Sequence, residues 1–192
     1  GSFAFDIIKE HIKDSKAQIV NLEYPMHYKG DELKKMWEEN GRLISEYLKG
    51  DKTGAFITLG DPSVYSTFMY TLPYIEAFGT EIEVIPGIPS FCAAAAISRM
   101  PLTAWDEDLL VAPVRKNSPE DLTKLLKEHD NVVFMKPSSD KEALLTAIKE
   151  SGRENSFVLV EKVGTKEQRL ICDYNELKEN DIPYLSLMIL KR

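Results

Sequence analysis

Three short turns hold most of the residues that can do chemistry: Gly60-Asp61-Pro62, Pro86-Gly87-Ile88-Pro89-Ser90 and Glu161-Lys162-Val163-Gly164-Thr165. At the first, an apolar run stops at Gly60, where the missing side chain permits close approach of a backbone or a ligand. Asp61 suits an N-cap and Pro62 the first helical position, so the sequence predicts a helix opening there. Such a helix start offers free N–H groups and the positive end of a dipole. The Asp61 carboxylate can cap that helix, accept from a ligand's amine or hydroxyl, or do both. The second turn leads into Ala93–Ala96, a face small enough to approach a neighbouring backbone or a flat ligand. The third turn is also compatible with a plain hairpin. Each has an ordinary structural explanation when taken singly.

Other chemistries find less support. His11, His27 and His129 lie far apart with no metal-ligand spacing, so no metal site is expected and all three read as solvent-facing. No G-x-S-x-G, P-loop or G-x-G-x-x-G string occurs, which removes the usual signals for hydrolases and dinucleotide binding. Lys34-Lys35 and Arg115-Lys116 read as solvated surface pairs, and Trp37 and Trp105 as core packing residues.

The elements that must position these turns alternate. Helical spacing marks 4–14, 31–49, 62–78 and a small-residue helix after Ser90. Strand patterns mark 17–23, 54–59 and 81–85. This alternation predicts a mainly parallel sheet with right-handed crossovers. Residues 101–108 (PLTAWDED) break the rhythm and read as an interdomain linker, giving domains 1–104 and 105–192. The second domain reads as strand 109–114, helix 119–130, strand 131–136, helix 140–151, and strands 156–164, 168–172 and 184–190. Short turns between several of these strands predict a mixed sheet.

The chain has 192 residues, 43% hydrophobic and 29% charged, which is the composition of a globular protein. Its formal charge of −7 argues against a nucleic-acid partner. Cys92 and Cys172 form no motif, so a reducing cytoplasm is expected. No apolar run has the length of a membrane span. Gly1-Ser2 reads as a leftover of expression, with no signal peptide after it.

Taken together, "FITLGDPSVYSTFMY", "IEVIPGIPSFCAAAA", "PLT", "VEKVGTKEQRL" and "YLSLMIL" resemble the tetrapyrrole (corrin/porphyrin) methylase family, in the right order and through nearly the whole chain. Within it, Tyr65-Ser66-Thr67-Phe68 and "YPMHYKGDELKKMW" are most similar to the branch that methylates precorrin-2 or cobalt-precorrin-2 at C20 in cobalamin synthesis. The other branches in view are uroporphyrinogen methylases and diphthine synthases, and a non-catalytic cofactor-binding fragment is the alternative outside enzymes. The sequence begins after the strand and proline- and glycine-rich loop that open the family pattern, so the resemblance implies an upstream segment completing the first sheet.

The resemblance implies an α/β, two-domain methylase fold with S-adenosylmethionine folded into the cleft between the domains. It places Gly60, Asp61, Val64, Pro89 and Ser90 against the cofactor, with Met135, Val163 and Ser186 from the second domain, several of them through backbone. The meso carbon of a reduced tetrapyrrole is already nucleophilic, so the enzyme mainly needs to align sulfur, methyl and carbon. Tyr65 and Glu161 are candidates by position to take the proton that later leaves C20. The substrate's ring of carboxylates calls for local cations in an acidic chain. Arg99, Arg115, Lys116 and Arg169 are the candidates, with Lys136 and Lys162 near the same turns. A homodimer is implied as well.

Overall fold

A computed structural model describes residues 3–24, 29–115 and 117–192. The chain divides into two compact units, Gly1–Ile88 and Pro89–Arg192. Lys116 and His27, and residues 25–28 of the YPMHYKGDELKKMW stretch, lie outside the described residues.

The second unit is built on a five-stranded mixed sheet. Its strands are β1 (Leu109–Pro113), β2 (Asn131–Met135), β3 (Phe157–Glu161), β4 (Arg169–Ile171) and β5 (Ser186–Lys191), in the spatial order β1-β2-β5-β3-β4. Only β1 and β2 run parallel; the remaining pairs are antiparallel. A crossover helix therefore joins β1 to β2, while β3 and β4 need only a tight connection. That helix, Pro119–Glu128, starts where the sequence signals it. Ser118 caps it, accepting from the Asp121 N–H while the Asp121 carboxylate accepts from the Ser118 N–H, a reciprocal capping box with proline in the first turn.

Strand alternation divides the sheet's side chains between two faces. Phe157, Leu159, Met188 and Leu190 face one side with Leu122, Leu126, Leu144 and Ile148 from the helices Pro119–Glu128 and Lys141–Glu150. Val133, Val158, Val160, Leu187 and Ile189 face the other, where Ala94 and Ala95 of the helix Ser90–Ser98 are buried. The alanine run thus lies close on a sheet face. Met100 and Leu102 pack on that same face, and Lys191 Nζ reaches the Pro101 carbonyl at 3.0 Å. The segment read as a linker is thereby tied to the second unit.

The first unit contains the helices Phe3–Ile12, Asp31–Tyr47 and Thr67–Ala77. The last two pack through Gly41, where a Cβ would come within 2.7 Å of Tyr74 Cβ, so glycine sets the helix separation. Trp37 stacks on Tyr70 at 5.0 Å, and Phe56 meets Phe68 at 5.1 Å.

Several expectations need correction. The segments 17–23, 54–59 and 81–85 form no strand and enter no ladder among the described residues. Apolar patterning favours an extended, buried run, whereas a ladder also needs a neighbouring strand at about 4.8 Å. Ile57, Leu59, Val84 and Ile85 accordingly remain exposed. The third helix begins at Thr67, not at Pro62, and its N-cap is Ser66, which accepts from the Phe68 N–H at 3.3 Å. Left-handed Tyr65 (φ 52°) separates the expected start from the actual one. Trp105 is fully exposed rather than core, at a turn where its φ is 52°. His129 is half-buried and paired through Nδ1 with Asp108, not simply solvent-facing. The short helix Tyr174–Glu179 was not expected at all.

Candidate functional site

In the first unit the two turns are locked together. Gly60 adopts φ +78°, a conformation that side chains disfavour. A Cβ on Gly87 would overlap the Gly60 carbonyl oxygen and lie 3.0 Å from its carbon. Only glycine at 87 allows this backbone-to-backbone approach. Asp61 fastens it: Oδ2 accepts from the Gly87 N–H at 2.9 Å, while Oδ1 accepts from the Ser63 N–H at 2.8 Å and from the Ser63 hydroxyl. The carboxylate is thus a staple between turns, not the cap of a helix. The Ser63 hydroxyl, then the Ser63 and Gly87 N–H groups, hold Asp61 below the usual carboxylate range.

A carboxylate with a lowered pKa favours the folded turn at every pH above its unfolded value of about 3.9, and the advantage disappears as pH falls through the lowered value. The turn is therefore insensitive to pH near neutrality. Asp61→Asn retains acceptance at one oxygen but replaces the other with a donor facing an N–H. Loss of either contact is expected to loosen the turn and to weaken binding of the methyl donor proposed below, measured by calorimetry. Wild-type affinity in Asp61→Asn would remove the carboxylate from any binding role.

Val64 closes a turn with its N–H on the Asp61 carbonyl at 3.2 Å. Tyr65 is 43% exposed, and partial desolvation, followed by the neighbouring Tyr70, raises its phenol above the ordinary value. At neutral pH Tyr65 is therefore a hydroxyl donor and a poor base.

In the second unit the strand directions bring most of the remaining candidates to one end of the sheet. Met135 ends β2, Glu161 ends β3, Arg169 begins β4 and Ser186 begins β5. Arg115 follows β1 by two residues and is exposed. Lys136 (φ 57°) and Lys162 (φ 45°) turn left-handed directly after β2 and β3, redirecting the chain at this edge.

The faces differ, however. Met135 and Val163 pack on the Ala94–Ala95 face. Glu161, Ser186 and Arg169 share the alternation of Leu159, Met188 and Ile171 and therefore point to the opposite face. Pro89 and Ser90 open the helix Ser90–Ser98, and Arg99 caps its end at φ 54°. Arg169 donates to Glu176 at 2.7 Å, and Lys162 pairs with Glu167. Among the described residues, no group of three or more His, Cys, Asp or Glu side chains could hold a metal. No described helix is long and apolar enough to cross a membrane.

The first unit carries a glycine-built contact between two turns, and the second unit carries a strand-end rim of polar and cationic groups. Their order along the chain matches a known pattern. The sequence profile of the Tetrapyrrole (Corrin/Porphyrin) Methylases matches residues 2–178. The chain belongs to this family. This methylase is 36% identical to the probable cobalt-precorrin-2 C(20)-methyltransferase of Methanocaldococcus jannaschii, over all of the chain and 79% of that protein. It is 24% identical to the cobalt-precorrin-2 C(20)-methyltransferase of Salmonella typhimurium, over all of the chain and 80% of that protein. In fold it is similar to the uroporphyrin-III C-methyl transferase of Thermus thermophilus, solved with S-adenosylhomocysteine. That likeness has a TM-score of 0.61 at 20% identity, covering 81% of the methylase and 73% of the neighbour. The two-domain tetrapyrrole methylase fold expected from the sequence is thereby established for this α/β chain.

The sequence identified the turns but not their linkage. The Asp61–Gly87 bond and the Ser186–Glu161–Arg169 row arise from pairings between distant segments, and no local pattern encodes register.

Proposed function

We propose that this chain is an S-adenosylmethionine-dependent C-methyltransferase that acts on precorrin-2 or cobalt-precorrin-2 at C20, in cobalamin biosynthesis. The observation carrying this reading is the full-chain similarity, at 36% identity, to a relative named for that reaction. Diphthine synthases are also similar, but at 29% over only 70% of the chain.

The residues present fit such a cofactor. In the first unit the missing side chain of Gly87 lets two turns meet backbone to backbone, and in the second unit buried polar atoms at the strand ends have unused hydrogen-bonding capacity. In this reading Gly60, Asp61 and Val64 contribute from the first unit, and Pro89, Ser90, Met135, Val163 and Ser186 from the second. When bound, S-adenosylmethionine supplies an electrophilic methyl group on a sulfonium. The chain's own task is alignment, since placing reacting atoms in near-attack geometry can supply roughly 7–11 kcal/mol of the barrier. Arg99, Arg115, Lys116 and Arg169 hold substrate carboxylates. Tyr65, kept as a hydroxyl, donates a hydrogen bond and is not the base for the C20 proton. In this reading the protein is a homodimer, as the family resemblance implies, in a reducing cytoplasm, the setting that Cys92 and Cys172 without a motif suggest.

A methyl-transfer panel tests this reading. Labelled S-adenosylmethionine is offered with precorrin-2, cobalt-precorrin-2, uroporphyrinogen and a diphthine-precursor protein, beside calorimetry with the methyl donor alone. Transfer to either precorrin-2 form, with little to the others, is the expected result. Donor binding without transfer to any acceptor would make the chain a binding module instead.

A further inference from the structure

Glu161 and Ser186 are directly opposite each other on β3 and β5. The Lys162 N–H bonds to the Leu185 carbonyl at 2.7 Å, and the Lys191 N–H to the Ser156 carbonyl at 2.9 Å. The hydrogen-bonded pairs therefore fall on even-numbered β3 positions, which makes Glu161–Ser186 a non-hydrogen-bonded pair. Side chains in such pairs are the closer kind, with Cα atoms about 4.5 Å apart. A carboxyl and a hydroxyl thus stand side by side on one face, at the same sheet end where Met135 and Arg169 lie.

Both are buried, at 6% and 8% exposure. Among the described residues neither Glu161 Oε1 nor Ser186 Oγ has a hydrogen-bond partner. Buried polar groups without partners are rare and costly. The nearby cation does not supply the missing bond. Arg169, across from Glu161 on β4, directs its guanidinium to Glu176 at 2.7 Å. What remains is a closely spaced acceptor pair seeking a donor, and a carboxyl in a desolvated setting favours a cationic one.

We infer that Glu161 and Ser186 together receive the α-ammonium group of the methyl donor's amino-acid moiety. This inference rests on the proposed S-adenosylmethionine dependence. Of the two reactants, only the donor carries an ammonium. The tetrapyrrole presents carboxylates, which a buried glutamate would repel. Glu161 is in this account a binding residue for the cofactor and not the base for C20. The row Ser186–Glu161–Arg169 then separates the tasks: the first two hold the donor's cation, and Arg169 at the exposed edge faces substrate carboxylates.

Calorimetry on the full chain with two probes tests the assignment. S-adenosylhomocysteine carries the ammonium, whereas 5′-methylthioadenosine lacks the whole amino-acid moiety. Glu161→Gln is expected to weaken S-adenosylhomocysteine about 10-fold or more, the loss typical of a charge-assisted hydrogen bond. It should change 5′-methylthioadenosine less than about 2-fold, since that probe makes no such bond. Ser186→Ala should show the same selectivity with a smaller loss of about 2–10-fold, as for a neutral hydrogen bond. This milder variant preserves the test if Glu161→Gln fails to fold, as judged by its thermal transition. Equal losses for both probes, or no loss for either, would overturn the assignment while leaving the methyl-donor reading intact. If the wild-type chain bound neither probe, both would fall together.

Discussion

Gly87→Ala is expected to lower both stability and methyl-donor affinity sharply. The added Cβ would overlap the Gly60 carbonyl oxygen and press on the Asp61 Cα at 3.4 Å. Those are backbone atoms, which no rotamer change can move aside. Relief requires the two turns to part, which breaks the bond from the Gly87 N–H to Asp61. Overpacking of this kind costs roughly 1–3 kcal/mol, a fall in melting temperature of roughly 2–12 °C for a chain of this size. Affinity for S-adenosylmethionine should drop by more than about 10-fold, because the turn contact itself is displaced. Gly54→Ala is the control. There the new Cβ meets only the flexible end of Leu48, at 2.8 Å from Cδ2, so a small rotation accommodates it. Equal effects of the two substitutions on donor binding would contradict the role assigned to the Gly60–Gly87 contact.

Arg153→Met should produce the largest loss of stability while leaving the binding residues untouched. Arg153 is 4% exposed, and its guanidinium donates to the carbonyls of Leu126, His129 and Asp130. The first two are acceptors left open at the end of the helix Pro119–Glu128. Methionine fills similar space but supplies no donor, so the Leu126 and His129 carbonyls lose the Arg153 bond while Asp130 keeps the Arg192 N–H at 2.9 Å. The expected cost is roughly 2–4 kcal/mol, given about 1–3 kcal/mol for each buried group left unsatisfied and partial access of water to the His129 carbonyl. Arg153→Lys should recover only part of this, because an ammonium cannot reproduce the planar fork. Urea denaturation followed by circular dichroism gives the comparison. Stability within experimental error of wild type for Arg153→Met would show that these bonds add nothing net.

The second unit was more legible in the sequence than the first, for physical reasons. Its strands are short apolar runs that find neighbours within the unit, and its crossover helix announces itself with Ser118-Pro119 and Asp121. The sheet's mixed character followed from the short connection between β3 and β4. In the first unit, residues 54–59 and 81–85 read as strands because their side chains suit burial. Pairing is a property of the neighbour, and the sequence of a segment does not contain its neighbour. Asp61-Pro62 and Ser66-Thr67 are both plausible helix starts by residue type. A bond from Asp61 to Gly87 and the left-handed turn at Tyr65 decide between them, and both depend on tertiary structure. The helix Tyr174–Glu179 buries only Leu177, too little periodicity to register. Its start signal was nevertheless present, for Asp173 caps the N–H groups of Asn175 and Glu176.

The candidate site divides in the same way. The turns at Gly60, Gly87 and Glu161 stood out because glycine and polar residues interrupt apolar runs. That Glu161 and Ser186 form one buried pair was not legible, since a shift of register by one residue would place them on opposite faces. Trp105 shows the converse limit. Its size predicted burial, yet a turn held by the Ala104 N–H on Glu107 at 3.0 Å presents it to solvent.

Methylation at one particular ring carbon, C20, is decided by product analysis. The chain is supplied with S-adenosylmethionine bearing a carbon-13 methyl group and with precorrin-2 or cobalt-precorrin-2 in turn. The product is then read by mass spectrometry and carbon-13 NMR. A single added methyl is expected, with its resonance coupled to the C20 meso position. A methyl found at another ring carbon, or transfer only to a non-tetrapyrrole acceptor, would contradict C20 methylation.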